Sequence, residues 1–343
     1  MSHTPNILQP SELLAMLSPS SAGAGGEAAA GGGEPAGEAA AGKAAAAGAA
    51  GAGAGKAGKV PKVVPYVCSV LLIAKGEQPY IREFVHYYRM IGMDHIFIYD
   101  NADADELTLA EVLTDKEREF CTIVPFPGKA QQKNAYCHFI DNLSHLTDWV
   151  LVVDGDEFLV LHQHRSITEF IQQKCRRVFG VGINWYMFGF GNQKVWPRGN
   201  LVLESYTRGS PNHHIKTLAR TAILRTLKAK RKGKLDCIHN LFGICQQLDG
   251  QLIRGPWLHS RPDAGCVSIY HYWSKSVEEF EAKLQRGRAT LNARRNRGEA
   301  FAHAAEIQKE TNTYMVDRVV PLFYKYLEAN GITKEHLTEL HHH

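Results

Sequence analysis

Asp154, Asp156 and Glu157 follow directly on the apolar run Trp149-Val150-Leu151-Val152-Val153, with Gly155 between the aspartates. Two aspartates separated by a single glycine can share a hard divalent cation. Oxygen ligands suit Mg²⁺ or Mn²⁺, and the glycine lets the backbone approach a ligand closely. The same tripeptide also fits a solvated turn, because Asp-Gly is common in turns. A second acid, Asp100, ends the apolar segment His95–Tyr99 and fits either a contact to a ribose or base, or an Asx-turn into the acidic loop that follows.

The elements that must position these groups come from periodicity. The valine-rich run before Asp154 reads as a strand covered on both faces, and in open α/β sheets ligands lie beyond the carboxyl ends of such strands. Strands are expected at Val67–Ala74, His95–Tyr99 and Thr122–Pro125, and helices at Pro79–Ile91, about Leu107–Leu113 and about Gln131–Leu146. This alternation predicts a parallel sheet with right-handed crossovers. Further on, a strand over Val178–Trp185, an aromatic and glycine-rich loop over Tyr186–Trp196, a strand-like Leu201–Tyr206, a strand near Val267–His271 and helices from Ser276 are expected.

Of the 343 residues, the stretch from about Ser18 to Lys59 is almost wholly Ala and Gly, without aromatics. It has too little large apolar surface to offset the ~1–2 kcal/mol per residue of backbone ordering, so residues 1–64 are expected as a largely disordered tail. Residues 65–330 are then one domain and 331–343 a C-terminal tail. The 7 cysteines form no CxxC pair, which disfavours a zinc module or disulfide scaffold. No early segment resembles a secretory signal or a bilayer span, so a cytoplasmic location is expected, with peripheral contact to an anionic membrane surface open to it. The net charge of +4 is modest, but Arg225, Lys228, Lys230, Arg231, Lys232 and Lys234 cluster, as do Arg286, Arg288, Arg294, Arg295 and Arg297. Such runs are either solvated faces or attract an anionic partner.

An ordered series of motifs adds to this reading: Ile73-Ala74-Lys75-Gly76-Glu77 with Tyr80-Ile81-Arg82-Glu83-Phe84, Ile98-Tyr99-Asp100-Asn101, Gln132 to Tyr136, and Asp154-Gly155-Asp156-Glu157-Phe158. Asn184-Trp185-Tyr186-Met187-Phe188-Gly189 and His271-Tyr272-Trp273-Ser274-Lys275-Ser276 continue it, with Lys283 and Gly287 beyond. The series resembles glycosyltransferase family 92 and related family-2-like transferases. It departs from them at Gly76, where an asparagine is usual, and at Gly189-Phe190-Gly191-Asn192, where a Ser-rich continuation is common.

The resemblance implies a single GT-A, Rossmann-like α/β domain with a mixed, mostly parallel central sheet and helices on both faces. It implies a metal-dependent transferase that moves a sugar from a nucleotide sugar, with UDP the default nucleotide, to an acceptor hydroxyl of a glycan, with inversion. Asp154 and Asp156 would hold Mn²⁺ or Mg²⁺ against the donor diphosphate, with His271 as a further ligand and His239 as a second histidine candidate. Glu77, Asp100, Gln132, Asp154, Lys216 and Lys275 are the donor-side candidates. Trp185, Phe188 and Gly189 are the acceptor-side candidates, although Trp185, Phe188 and Trp196 suit a core equally. Glu157 and Glu204 are the candidates for a general base. Two other readings stay open: a metal-dependent nucleotidyltransferase or phosphohydrolase, and a non-catalytic basic protein that binds RNA or a membrane surface.

Overall fold

A computed structural model describes residues 64–230, 245–248, 250–253, 265–286 and 296–342. The Ala/Gly-rich segment, His239, Gly287 and the basic residues Arg231, Lys232, Lys234, Arg288, Arg294 and Arg295 lie outside the described residues.

The first strand, β1 (Tyr66–Ala74), is flanked by β2 (His95–Asp100) and β4 (Thr147–Val152), and β3 (Cys121–Pro125) lies beyond β2, all parallel. Their central residues are enclosed because helices cross over between them, as continuous apolar runs require. The rest of the sheet comprises β5 (Glu157–Leu161), β6 (Gly180–Phe188), β7 (Arg208–Arg220), β8 (Val267–His271) and the two-residue β9 (Glu310–Thr311). The order is β3-β2-β1-β4-β7-β6-β8-β5, with β9 paired to β7. Antiparallel β7 joins the parallel half to β6, and β6 runs parallel to β8, so the sheet is mixed.

β5 is an edge strand, which leaves backbone groups that a sheet must cover. The helix Ile81–Met90 covers them with two tyrosines: Tyr87 donates to Leu159 O at 2.7 Å and Tyr88 to Glu157 O at 2.9 Å, while Leu159 N donates to the Tyr88 hydroxyl at 3.2 Å. The backbone at the start of β5 is therefore tied to the main core. A second core joins Met187 and Phe190 to Trp273, Phe280, Ala304 and Ile307, packing the helices Val277–Arg286 and Arg297–Ile307 beside β6.

Two expectations change. Leu201–Tyr206 is not strand-like: Val202–Ser205 is a short helix, because Glu204 accepts from Leu201 N at 3.1 Å and buried Glu83 accepts from Val202 N and Leu203 N at 2.9 and 3.0 Å. The apolar run resumes past the aspartates in a separate strand, after the turn in which Glu157 N donates to Asp154 O at 3.1 Å. Residues 331–342 are not a tail. They contain the helix Lys334–Thr338, bury Leu337, and bind Pro79 O through His341 Nε2 at 3.0 Å. The described cysteines 68, 121, 137, 175, 245 and 266 are free thiols.

Candidate active site

The turn 153–156 leaves the carboxyl end of β4 beside that of β1, where Val153 N donates to Leu71 O at 3.1 Å. Glu157 starts β5 opposite His271, the last residue of β8. β7, on the other side of β4, brings Lys216 next to the turn. The helix Val277–Arg286 delivers Lys283, and the loop after β1 delivers Glu77. Residues distant in sequence thus meet at a single turn because three strand ends coincide there.

The two aspartates face different partners. Asp154 Oδ2 accepts from Lys216 Nζ at 2.7 Å and its side chain is 40% exposed. Asp156 is buried, with Oδ2 accepting from Lys283 Nζ at 2.6 Å and Oδ1 lying 3.4 Å from His271 Nε2. Glu157, wholly enclosed, accepts from Asp154 N at 2.9 Å and lies 3.0 Å from Lys216 Nζ. Its Oε1 faces His271 Nδ1 at 3.6 Å, and neither atom makes a hydrogen bond among the described residues.

Burial would push the Asp156 carboxyl up, but Lys283 and His271 outweigh it and hold it well below the usual range. Burial, reinforced by Asp154 and Asp156, raises Glu157 to about 8 in spite of Lys216. Burial alone would lower the Lys216 ammonium, yet Asp154 and Glu157 reverse the direction and keep it charged. His271 is lowered by burial against the pull of Asp156, so its imidazole is neutral near pH 7.

Gly155 is required by a close approach. A Cβ there would lie 2.9 Å from Glu77 Cγ and 3.2 Å from Glu77 Oε2, because the Glu77 side chain crosses directly over the turn. Beyond Glu77 opens a cavity of about 320 Å³ bounded by Tyr80, Asp156, Trp196, Trp273, Lys275 and Lys283. Lys275 holds a left-handed φ of 52°, which places its Nζ 3.2 Å from the centre of the Tyr80 ring and 3.7 Å from Glu77 Oε2. A lysine in that region of φ costs on the order of 1–3 kcal/mol, which the surrounding contacts must offset. Tyr80 in turn donates to Glu279, which also accepts from Tyr206 at 2.7 Å and caps its own helix through Ser276.

The sequence candidates separate accordingly. Glu77, Asp154, Asp156, Glu157, Lys216, His271 and Lys275 gather around the turn and its cavity. Trp185 joins them from β6, its ring 4.5 Å from His271 and stacked on His214 at 4.9 Å. Asp100 lies at the end of β2 and serves the chain itself, accepting from Leu109 N at 2.7 Å and Ala102 N at 3.2 Å, with its carboxyl pushed up by burial. Gln132 donates to Tyr136 within its own helix at 3.0 Å. Glu204 is taken up by Lys334 at 2.5 Å and by the Tyr324 hydroxyl at 2.7 Å, on the side of the C-terminal helices. Phe188 is a core ring stacked on Tyr272 at 4.8 Å, and Gly189 packs so tightly on Gln308 that a Cβ would lie 2.3 Å from its Cγ. Tyr80, Glu279 and Lys283 were given no role in the sequence. The signal for Lys283 was its spacing of one helical turn from Glu279 on the same face.

Asp156 Oδ1 and His271 Nε2 suit a divalent cation chemically: one is an ionised carboxylate, the other a neutral imidazole, and their 3.4 Å separation is that of ligands sharing an ion at ~2.1 Å from each. They supply two donors, and Asp154 stands at the other end of the same turn.

Residues 66–199 match the family model described as Glycosyltransferase family 92. A glycosyltransferase family 92 protein of Ricinus communis is 22% identical over 231 residues, covering 66% of this chain and 39% of the relative. Another, of Oryza sativa subsp. japonica, is 26% identical over 267 residues, covering 76% of this chain and 40% of the relative. The chain thus spans about two fifths of the length of these curated relatives. Among solved structures, S. aureus TarS 1-349 aligns with a TM-score of 0.32 and 11% identity, covering 77% of this chain and 72% of that one, a likeness too distant to bear on the site. Over residues 66–199, the chain is thus similar to glycosyltransferase family 92.

Proposed function

We propose that the cavity beside Asp156 binds a nucleotide sugar, with UDP as its nucleotide, and that the protein transfers the sugar to a glycan hydroxyl with inversion. The observation that carries the reading is the meeting of Glu77 and Asp156, from the segment that matches the family 92 model, with His271, Lys275 and Lys283 around one turn. Asp156 and His271, with Asp154, would hold Mn²⁺ or Mg²⁺, which when bound supplies Lewis-acid stabilisation of the donor diphosphate.

The chain's own residues supply the rest. Lys283 and Lys275 place positive charge along the cavity, where the leaving diphosphate gathers negative charge, and because they are held in place beforehand they need not reorganise as that charge grows. Trp196 and Trp273 offer apolar faces to the sugar and exclude water. Lys216, shared by Asp154 and Glu157, fixes the turn, which makes Glu157 a positioning group rather than the base: its carboxylate is enclosed and engaged by Lys216 and the Asp154 N–H. Inversion then draws its general base from the carboxylates that line the cavity, Glu77 or Glu278.

The test is turnover of UDP- and GDP-sugars with Mn²⁺, together with nucleotide protection against thermal unfolding. Asp156→Asn is expected to lose at least about a hundredfold in turnover and the metal-dependent nucleotide protection, with the fold retained. Unchanged turnover in that variant refutes the assignment.

A further inference from the structure

A second cluster lies away from the cavity. His86 on the helix Ile81–Met90, Glu117 on the short helix Asp115–Arg118 and His336 on the C-terminal helix Lys334–Thr338 converge, with one ligand atom from each within 4.8 Å of the others. We propose that these three residues form a zinc site that fastens the C-terminal helix to the body of the domain.

The geometry is that of a common donor set. Glu117 Oε1 lies 2.9 Å from His86 Nε2 and 3.0 Å from His336 Nε2. A tetrahedral shell with ~2.1 Å bonds sets its ligand atoms ~3.4 Å apart, so admitting the ion requires each Glu117–histidine contact to lengthen by about half an ångström. Two histidines and one glutamate suit Zn²⁺ better than Mg²⁺ or Ca²⁺, which prefer oxygen donors throughout. Glu117 is oriented by its other oxygen, which accepts from Thr114 N at 2.8 Å and Thr114 Oγ1 at 2.9 Å in a capping box, so Oε1 is the oxygen presented to the histidines. Arg82 stands 3.8 Å from Oε2, but its guanidinium is bound to Val112 O, His336 O and Glu339. Thus it braces the C-terminal helix without competing for Oε1.

Ligation through Nε2 leaves the proton of His86 on Nδ1, and a metal-bound histidine ordinarily donates that proton to an acceptor. Among the described residues, His86 Nδ1 and the Tyr326 hydroxyl are both buried without a hydrogen-bond partner, and their rings lie 6.2 Å apart. The side chain of His336 is 33% exposed, which opens an entry path and leaves the fourth coordination position to water.

The experiment uses the full chain, stripped with chelator and reloaded with Zn²⁺ alone. Anomalous scattering at the zinc edge is expected to show a peak within bonding distance of His86 Nε2, Glu117 Oε1 and His336 Nε2. His336→Ala is expected to lose about one equivalent of bound zinc and the zinc-dependent rise in Tm, whereas Asp156→Asn keeps both. A zinc peak only elsewhere, or equal zinc content in folded wild type and His336→Ala, overturns the proposal. Neither readout uses turnover, so failure here leaves the transferase reading untouched, and the converse holds too.

Discussion

The contact between Lys283 and Asp156 carries the sharpest energetic consequence of this structure. Lys283→Met keeps the length of the side chain but removes the ammonium that Asp156 Oδ2 meets at 2.6 Å, leaving a buried carboxylate with His271 alone. Stripping one partner from a buried pair costs about 3–5 kcal/mol. Here the lysine side chain is 31% exposed, so solvent screens part of the interaction and about 2–3 kcal/mol is the figure to expect. Asp156→Asn costs less, about 1–2 kcal/mol, because the released ammonium can turn toward water and the amide still meets Lys283 and His271. In Asp156→Asn/Lys283→Met no uncompensated charge is left, so the costs do not add, and the double-mutant cycle should return a coupling of about 1–3 kcal/mol. Urea unfolding of the four proteins at constant m-value measures it. A coupling below about 0.5 kcal/mol, the usual limit of additivity, would mean that the pair is not held in solution and that Lys283 does not define the cavity.

Three further outcomes follow. Glu83 is raised by burial from 4.5 to about 7, so between those values the folded state holds a proton that the unfolded state has released. Its stability contribution is therefore greatest at low pH and falls by about 1.4 kcal/mol per unit as pH rises, the loss being complete above about 7. His95, lowered by burial to about 4, tilts the profile the opposite way, so the quantity to measure is the wild-type minus Glu83→Gln difference between pH 5 and 7, and a flat difference contradicts the raised carboxyl. Gly155→Ala should cost about 1–3 kcal/mol because its Cβ meets Glu77 Cγ at 2.9 Å, and Glu77→Ala in the same chain should recover most of that loss in thermal melts. Glu204→Gln should lower stability by about 1 kcal/mol while sparing kcat/KM, since its carboxylate serves Lys334 and Tyr324; a large loss of kcat/KM without loss of stability would return Glu204 to the list of candidate bases.

What the residues disclosed in advance depended on how many faces of each element are buried. β1, β2 and β4 are enclosed on both sides, so their apolar runs are unbroken and their carboxyl ends, with Asp100 and Asp154, were readable directly. β7 was missed because its first half, Arg208–His214, is polar and mostly half-buried or exposed, and its continuous buried run is limited to Ile215–Ala219. With β7 unseen, Lys216 could be proposed as a source of charge but not placed beside Asp154. β5 was not foreseen as a separate strand because Phe158-Leu159-Val160 resumes the apolar run directly after the acids, and the reversal at Asp154–Glu157 leaves no trace in hydropathy.

The same limit explains the division among the carboxylates. Asp100, Glu157 and Glu204 look alike in sequence, each lying next to an apolar stretch, and what separates them from Asp156 is the partner that long-range topology supplies. Asp100 receives backbone N–H groups, Glu157 a lysine from β7, and Glu204 a lysine from the last helix. Asp156 receives Lys283 on one oxygen and His271 at 3.4 Å from the other, and it lines the cavity. A carboxylate whose neighbours keep it ionised while one oxygen stays beside a neutral imidazole is prepared for a cation, whereas one saturated by backbone donors is prepared for a turn. Local spacing marks where acids occur at strand ends; which of them can take up a ligand is decided by the antiparallel half of the sheet, which brings His271 opposite Glu157 and Lys216 beside Asp154.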